Sequence, residues 1–176
     1  DAGDVARQAE VRASSEQSRG PAANVISGET RAVFGPGGAP PGRARASTHR
    51  WMSDPAQGLP AELELRWRRP VVPAEVRLVF DTGMHRPLTL SHSDAFVSRM
   101  VWGQPQPETV RDYCIEGWNG SECLKLAAVE GNYQRLRVHR FPGVPPVERL
   151  RVRVLATNGI DHARICEVRV YEDPTA

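Results

Sequence analysis

The sequence predicts an all-β fold: an antiparallel β-sandwich, a jelly roll of about eight strands. Three observations predict it. Short segments alternate strictly between apolar and polar residues, as in Glu62-Leu63-Glu64-Leu65-Arg66-Trp67 and Arg149-Leu150-Arg151-Val152-Arg153-Val154. No long stretch carries the 3.6-residue apolar period of a helix. Turn chemistry punctuates the runs at Arg69-Pro70, Trp118-Asn119-Gly120, Glu130-Gly131-Asn132 and Pro142-Gly143.

Taken in chain order, residues 1–10 are polar and read as an N-terminal tail. A short strand follows at Val11–Ser14, then Glu62–Trp67, Glu75–Phe80, Arg111–Glu116, Glu122–Val129, Arg135–Phe141, Arg149–Val154 and Arg164–Tyr171. One domain therefore spans residues 11–172, with 173–176 as a C-terminal tail. Trp51 and Trp67 end or follow strand-like patterns and are expected in the core. Cys166 shares parity with Val168 and Val170, so it reads as a buried, inert thiol. Cys114 and Cys123 flank a hairpin whose register decides whether they meet. A four-residue loop sets 114 opposite 123, whereas a two-residue Asn119-Gly120 turn sets 114 opposite 125 and 116 opposite 123.

Composition narrows the function. The chain has 176 residues, 40% hydrophobic and 25% charged, which suits one well-packed domain. The formal net charge of +2 gives no field that would gather nucleic acid or an anionic membrane. No apolar run is long enough to span a bilayer, and the first ten residues lack the apolar segment of a secretion signal. Lys125 is the single lysine among 23 basic residues. Such a bias is either compositional or a demand for the planar, two-pronged contacts that arginine makes with carboxylates and sugar hydroxyls.

Two connections are too long for simple turns. Residues 27–50 include Gly35-Pro36-Gly37-Gly38-Ala39-Pro40-Pro41-Gly42. This is no phosphate cradle, because Pro40 stands where a dinucleotide fingerprint needs its third glycine and the prolines remove backbone donors. It also lacks the apolar tips needed for lipid insertion. Residues 81–109 mix aromatic, Arg and His side chains, which makes this loop the foremost functional candidate. His85, His92 and Asp94 match no zinc-ligand spacing, and no strained nucleophile turn accompanies the serines, so the chain is expected not to be an enzyme. From their chemistry, His85, Arg86, His92, Arg99 and Trp102 are candidate ligand contacts, joined by Asn158 and His162 from a second loop. An indole offers a flat face to a pyranose, while Arg, Asn and His give directional hydrogen bonds.

The order of several short motifs resembles the discoidin, or coagulation factor 5/8 type C, family of galactose-binding-like domains, which includes many bacterial carbohydrate-binding modules. The motifs are Val11-Arg12-Ala13-Ser14-Ser15, Ala22-Ala23-Asn24-Val25-Ile26-Ser27-Gly28, Thr48-His49-Arg50-Trp51-Met52-Ser53, Gly131-Asn132-Tyr133-Gln134, Arg149-Leu150-Arg151-Val152 and Glu167-Val168-Arg169-Val170-Tyr171. His49 to Pro55, Val79 to Thr82 and Val110 to Tyr113 also resemble accessory domains at the C-terminal ends of bacterial FAD-dependent oxidoreductases; no flavin fingerprint lies in this chain. The resemblance implies ligand loops gathered at one end of the sandwich, a glycan or oligosaccharide as partner, and an extracytoplasmic or secreted location. It also implies a structural Ca2+ near Asn24, Ser27, Gly28 and Glu167, although Ser27 stands where the family has Asp, which removes a hard oxygen charge. The expected function is non-catalytic carbohydrate binding. The alternative is a structural accessory domain packed on a flavoenzyme or another catalytic domain of the same polypeptide. Its interface would then involve Phe96, Val97, Met100 and Val101.

Overall fold

Two antiparallel sheets face each other across one apolar core in a computed structural model that describes residues 3–28, 49–83, 94, 101 and 103–172. The strands are β1 (Glu10–Ala13), β2 (Trp51–Met52), β3 (Ala61–Val71), β4 (Pro73–Phe80), β5 (Val110–Asn119), β6 (Glu122–Val129), β7 (Leu136–Arg140), β8 (Val147–Thr157) and β9 (Arg164–Glu172). One sheet has the order β1-β3-β8-β5-β6 and the other β2-β9-β4-β7. All eight expected strands are present. The ninth, β2, has two residues, too short for any alternation to be read.

Alternation does the work of closing the sandwich. Leu63 and Leu65 of β3 and Leu150, Val152 and Val154 of β8 turn inward, against Val76, Leu78 and Phe80 of β4 and Val168 and Val170 of β9. Trp51 and Trp67 are both core residues, and each indole N–H finds a backbone acceptor, the carbonyls of Ser15 and Val5 respectively.

The outward face of the five-stranded sheet is a lattice of opposite charges. Register places Arg12, Glu64, Arg151, Glu116 and Lys125 side by side on five successive strands. Arg151 bonds Glu116 at 2.8 Å and Glu62 at 3.0 Å, Arg149 reaches Glu64 at 3.3 Å, and both guanidinium groups lie over the Trp118 ring.

Three sequence expectations are corrected. The segment before residue 10 is not a free tail from Asp4 onward. The buried Asp4 carboxylate accepts from the backbone N–H groups of Ala6 and Val170, and a 3-10 turn at Val5–Gln8 packs on β9. Secondly, the β5–β6 turn is Gly120-Ser121, with Gly120 at φ +57°, so Trp118 faces Cys123 and a bulge then brings Cys114 opposite Ala128. Neither register offered by the sequence occurs, and all three cysteines are free thiols. Lastly, Cys166 is buried as expected but is the extra residue of a β-bulge, since Val79 pairs with Glu167 and Phe80 with Ile165. It sits outside the apolar cluster and near Asp81, Arg50 and Arg135, where burial pushes its thiol up to about 11.

His139 closes the open edge between the sheets. Its Nε2 lies 2.9 Å from the Tyr113 hydroxyl and its ring stacks parallel to Phe141. Burial, followed by the nearby Arg137 cation, holds its imidazole below the usual range. The folded state therefore binds fewer protons at this site than the unfolded chain. That contribution is present above the unfolded imidazole value of about 6.5 and is lost as pH falls through the folded value. Urea titrations at successive pH values are expected to show stability falling from about pH 7 to about pH 5, with a shallower fall in His139→Gln. Equal slopes in the two proteins would remove His139 as the source.

Candidate functional site

Five connections converge on one end of the sandwich, because β1, β4, β6 and β8 end there and β3, β5, β7 and β9 begin there. The pairings Ala13 with Leu63, Phe80 with Ile165, Val79 with Leu136, Val110 with Thr157 and Tyr113 with Val129 define that end. Antiparallel order alone thus delivers the segments after β1, β2, β4, β6 and β8 to one rim.

Asp81, the first residue after β4, is the point at which they join. It is 2% exposed. Its Oδ2 meets Arg50 Nη1 at 2.8 Å and Arg164 Nη1 at 3.4 Å, its Oδ1 accepts from the N–H of Gly83, and its backbone carbonyl accepts from Thr109 Oγ1. One residue therefore ties the approach to β2, the start of β9 and both feet of the 81–109 connection. Burial works against the Arg50 charge and lowers its pKa, while Asp81 opposes that shift.

A second hub fixes the adjoining turn. The buried Asn132 side chain donates to the carbonyls of Val110 and Gln134 and accepts from the N–H of Gln134. Tyr133 is consequently held outward at the rim, 65% exposed.

Of the candidate ligand contacts, Asn158 and His162 lie at this rim. Asn158 donates its side-chain amide to the carbonyls of Thr109 and Asn132, so it braces three segments. His162 Nε2 accepts from Arg164 Nε at 2.9 Å, which assigns the ring proton to Nδ1, 2.7 Å from Asp161 Oδ1. That hydrogen bond holds the Asp161 carboxyl below its usual range. His85, Arg86, His92, Arg99 and Trp102 lie outside the described residues, as do Gly35 to Gly42 and Phe96, Val97 and Met100. Sequence reasoning missed Asp81, Asn132 and Tyr133 as organisers. The available signal was a polar residue directly after an alternating strand, and a Gly-Asn turn carrying an aromatic residue.

The expected calcium donors are Asn24, Ser27, Gly28 and Glu167. The sole carboxylate among them, on Glu167, is 1% exposed and bonded by two nitrogens of Arg169, at 3.0 and 3.1 Å. Asn24 Nδ2 donates to the Arg50 carbonyl, and the Arg7 guanidinium lies against Gly28, where a β-carbon would collide with it. With one carboxylate already neutralised and a second guanidinium at the loop, these residues do not fit a hard divalent cation. Among the described residues no three His, Cys, Asp or Glu side chains cluster as metal ligands.

No family model matches the sequence, and no curated protein does. Solved structures do match. A family 32 carbohydrate-binding module from C. perfringens NanJ, in complex with galactose, is similar with a TM-score of 0.67 and 14% identity, over 97% of this chain and 98% of that one. The family 32 carbohydrate-binding module of Streptococcus pneumoniae EndoD gives 0.66 and 14%, over 97% and 99%. The lectin domain of lectinolysin complexed with Lewis B antigen gives 0.62 and 12%, over 97% and 96%. The chain thus has the galactose-binding-like β-sandwich fold. No helix among the described residues is long and apolar enough to cross a membrane.

Two outcomes follow from this geometry. Asp81→Asn removes the carboxylate that both Arg50 and Arg164 contact. It is expected to cost about 3 kcal/mol, a fall in Tm of roughly 6–12 °C by calorimetry; an unchanged Tm would show that the loops do not depend on it. Chelation with EDTA is expected to leave Tm unaltered, because Arg169 already neutralises Glu167. A rise of several degrees on adding calcium would contradict the misfit.

Proposed function

We propose that this chain is a non-catalytic carbohydrate-binding module that takes a glycan at the loop end of the sandwich. The observation that carries the reading is the bracing of that end. Asp81 and Asn132 hold the connections in fixed relation, and Tyr133 stands exposed between them. A firmly mounted ring suits the C–H face of a pyranose, and a site that needs no rearrangement loses less affinity to ordering. In this reading His85, Arg86, His92, Arg99 and Trp102 come from the connection rooted on Asp81. Asn158 and His162 act chiefly by positioning neighbouring segments.

The solved structures similar to this chain support the reading through their own ligands, galactose in one case and Lewis B antigen in another. The module would direct an attached catalytic domain to its polymer, and a glycan ligand places it outside the cytoplasm.

A glycan array probed with the intact chain, with calcium and with EDTA, tests this. Selective binding is expected in both conditions, reduced at least about tenfold in Tyr133→Ala, Trp102→Ala and Arg86→Ala variants that stay folded. A silent array from folded protein would overturn the reading and favour the structural accessory domain.

A further inference from the structure

A break in the ladder marks the end of the five-stranded sheet away from the rim loops. Arg66 of β3 pairs with Arg149 of β8, yet the next pair is Val71 with Val147, so Trp67, Arg68, Arg69 and Pro70 stand against Glu148 alone. Beside this bulge lies a hollow of about 180 Å³, lined by Arg66, Trp67, Trp118, Gly120, Glu148 and Arg149. Trp118 pairs with Arg149 and stands five residues along β5 from Tyr113, whose pairing with Val129 marks the rim. The two ends are therefore roughly 17 Å apart along the strand.

The lining is held in place and still offers open hydrogen-bonding groups. The guanidinium carbons of Arg149 and Arg151 lie 4.2 and 4.6 Å from the Trp118 ring centroid, which fixes the half-buried indole. The Trp51 and Trp67 indole N–H groups each donate to a backbone carbonyl, whereas the Trp118 N–H has no acceptor among the described residues. Glu148 is exposed and makes no ion pair among the described residues, so its carboxylate is an open acceptor. Arg149 and Arg66 share Glu64, at 3.3 and 3.9 Å. The lining thus has two guanidinium groups with Glu64 and Glu148 as their counterparts, and the exposed Arg68 and Arg69 of the bulge do not line it.

We infer that this hollow is a second ligand site, at the far end of the sandwich, for one neutral pyranose residue of a glycan. The indole and guanidinium N–H groups donate to hydroxyl oxygens, the Glu148 carboxylate accepts from a hydroxyl, and the indole supplies an apolar wall for ring C–H groups. A hydroxylated ring both donates and accepts at closely spaced positions, which matches a lining that offers both functions. An inorganic ion would use only one of them. A folded partner would need roughly 800 Å² per side, far more than this hollow supplies. The inference rests on the reading of this chain as a glycan binder, and not on the rim as the place of binding. Sites at both ends of one sandwich let a single chain engage a polymer twice, which raises avidity without any new contact at the rim.

The test is an NMR titration of the whole chain, followed on its N–H signals, with the methyl glycosides of glucose, galactose, mannose and N-acetylglucosamine. At least one is expected to shift the Trp118 indole and Gly120 amide signals saturably in the millimolar range, with an affinity unchanged between about 50 and 500 mM salt. Glu148→Ala changes an exposed position, and Trp118→Phe keeps an aromatic ring beside the guanidinium groups but removes the N–H. Each is expected to weaken binding about tenfold, read for Trp118→Phe on the Gly120 amide. Tyr133→Ala is expected to leave these shifts unchanged. Shifts confined to Tyr133 and the rim would overturn this site while leaving the loop-end reading intact, and shifts confined to Trp118 and Gly120 would do the reverse. Binding that collapses at high salt would overturn the neutral sugar in favour of an ion. Identical titrations of the parent chain and Glu148→Ala, or no response at Trp118 to any of the four sugars, would overturn the site itself.

Discussion

A buried carboxylate held between two guanidinium groups governs the functional end of this molecule. Asp81 stands where β4 leaves the core, and Arg50 and Arg164 reach it from the approach to β2 and the start of β9. None of these three groups is tolerable alone at that depth, since each would be a charge withdrawn from water with nothing to offset it. Together they are mutually obligatory. The rim loops therefore inherit their relative positions from a charge-balance requirement more than from apolar contact. Both feet of the 81–109 connection are fixed in this way, one through the Asp81 carboxylate and the other through Thr109 on the Asp81 carbonyl.

How much of this was legible follows from the range of the interactions. Alternation is a local signal, and it located every strand long enough to alternate, together with the core tryptophans. Trp51-Met52 escaped because two residues have no period. The packed N-terminal segment escaped because its anchor is one Asp4 side chain bonding the N–H of Val170, a contact across nearly the whole chain that leaves no local trace. Turn position and a bulge account for the remaining errors. The Gly120-Ser121 turn set Trp118, not Cys114, opposite Cys123, and an extra residue in β9 carried Cys166 out of the apolar cluster, because parity counts residues and cannot see an insertion. At the site, residue chemistry directed attention to the 81–109 connection. It could not reveal that Asp81 and Asn132 hold the ends together, since a polar residue at a strand end reads the same whether solvated or buried.

The arginine bias admitted two explanations from composition alone, and the structure gives the residue type specific work. Arg151 bonds Glu62 and Glu116 while lying over Trp118, and Arg169 grips Glu167 with two nitrogens. A lysine ammonium lacks the planar fork for either arrangement. The same substitution of geometry for charge explains the calcium misfit. Where an acidic donor set would call for a divalent ion, Glu167 is met by a guanidinium from its own strand, and a covalently attached cation needs no metal supply.

The outward faces of both sheets are laced by the same kind of contact. On the five-stranded sheet, Arg12, Glu64, Arg151, Glu116 and Lys125 stand side by side on successive strands, and Arg151 is shared between Glu62 and Glu116. On the four-stranded sheet, Glu75 is shared between Arg77 and Arg140, and Glu167 grips Arg169. Arginine–carboxylate pairs thus add cross-strand support on the side of each sheet that the apolar core does not touch.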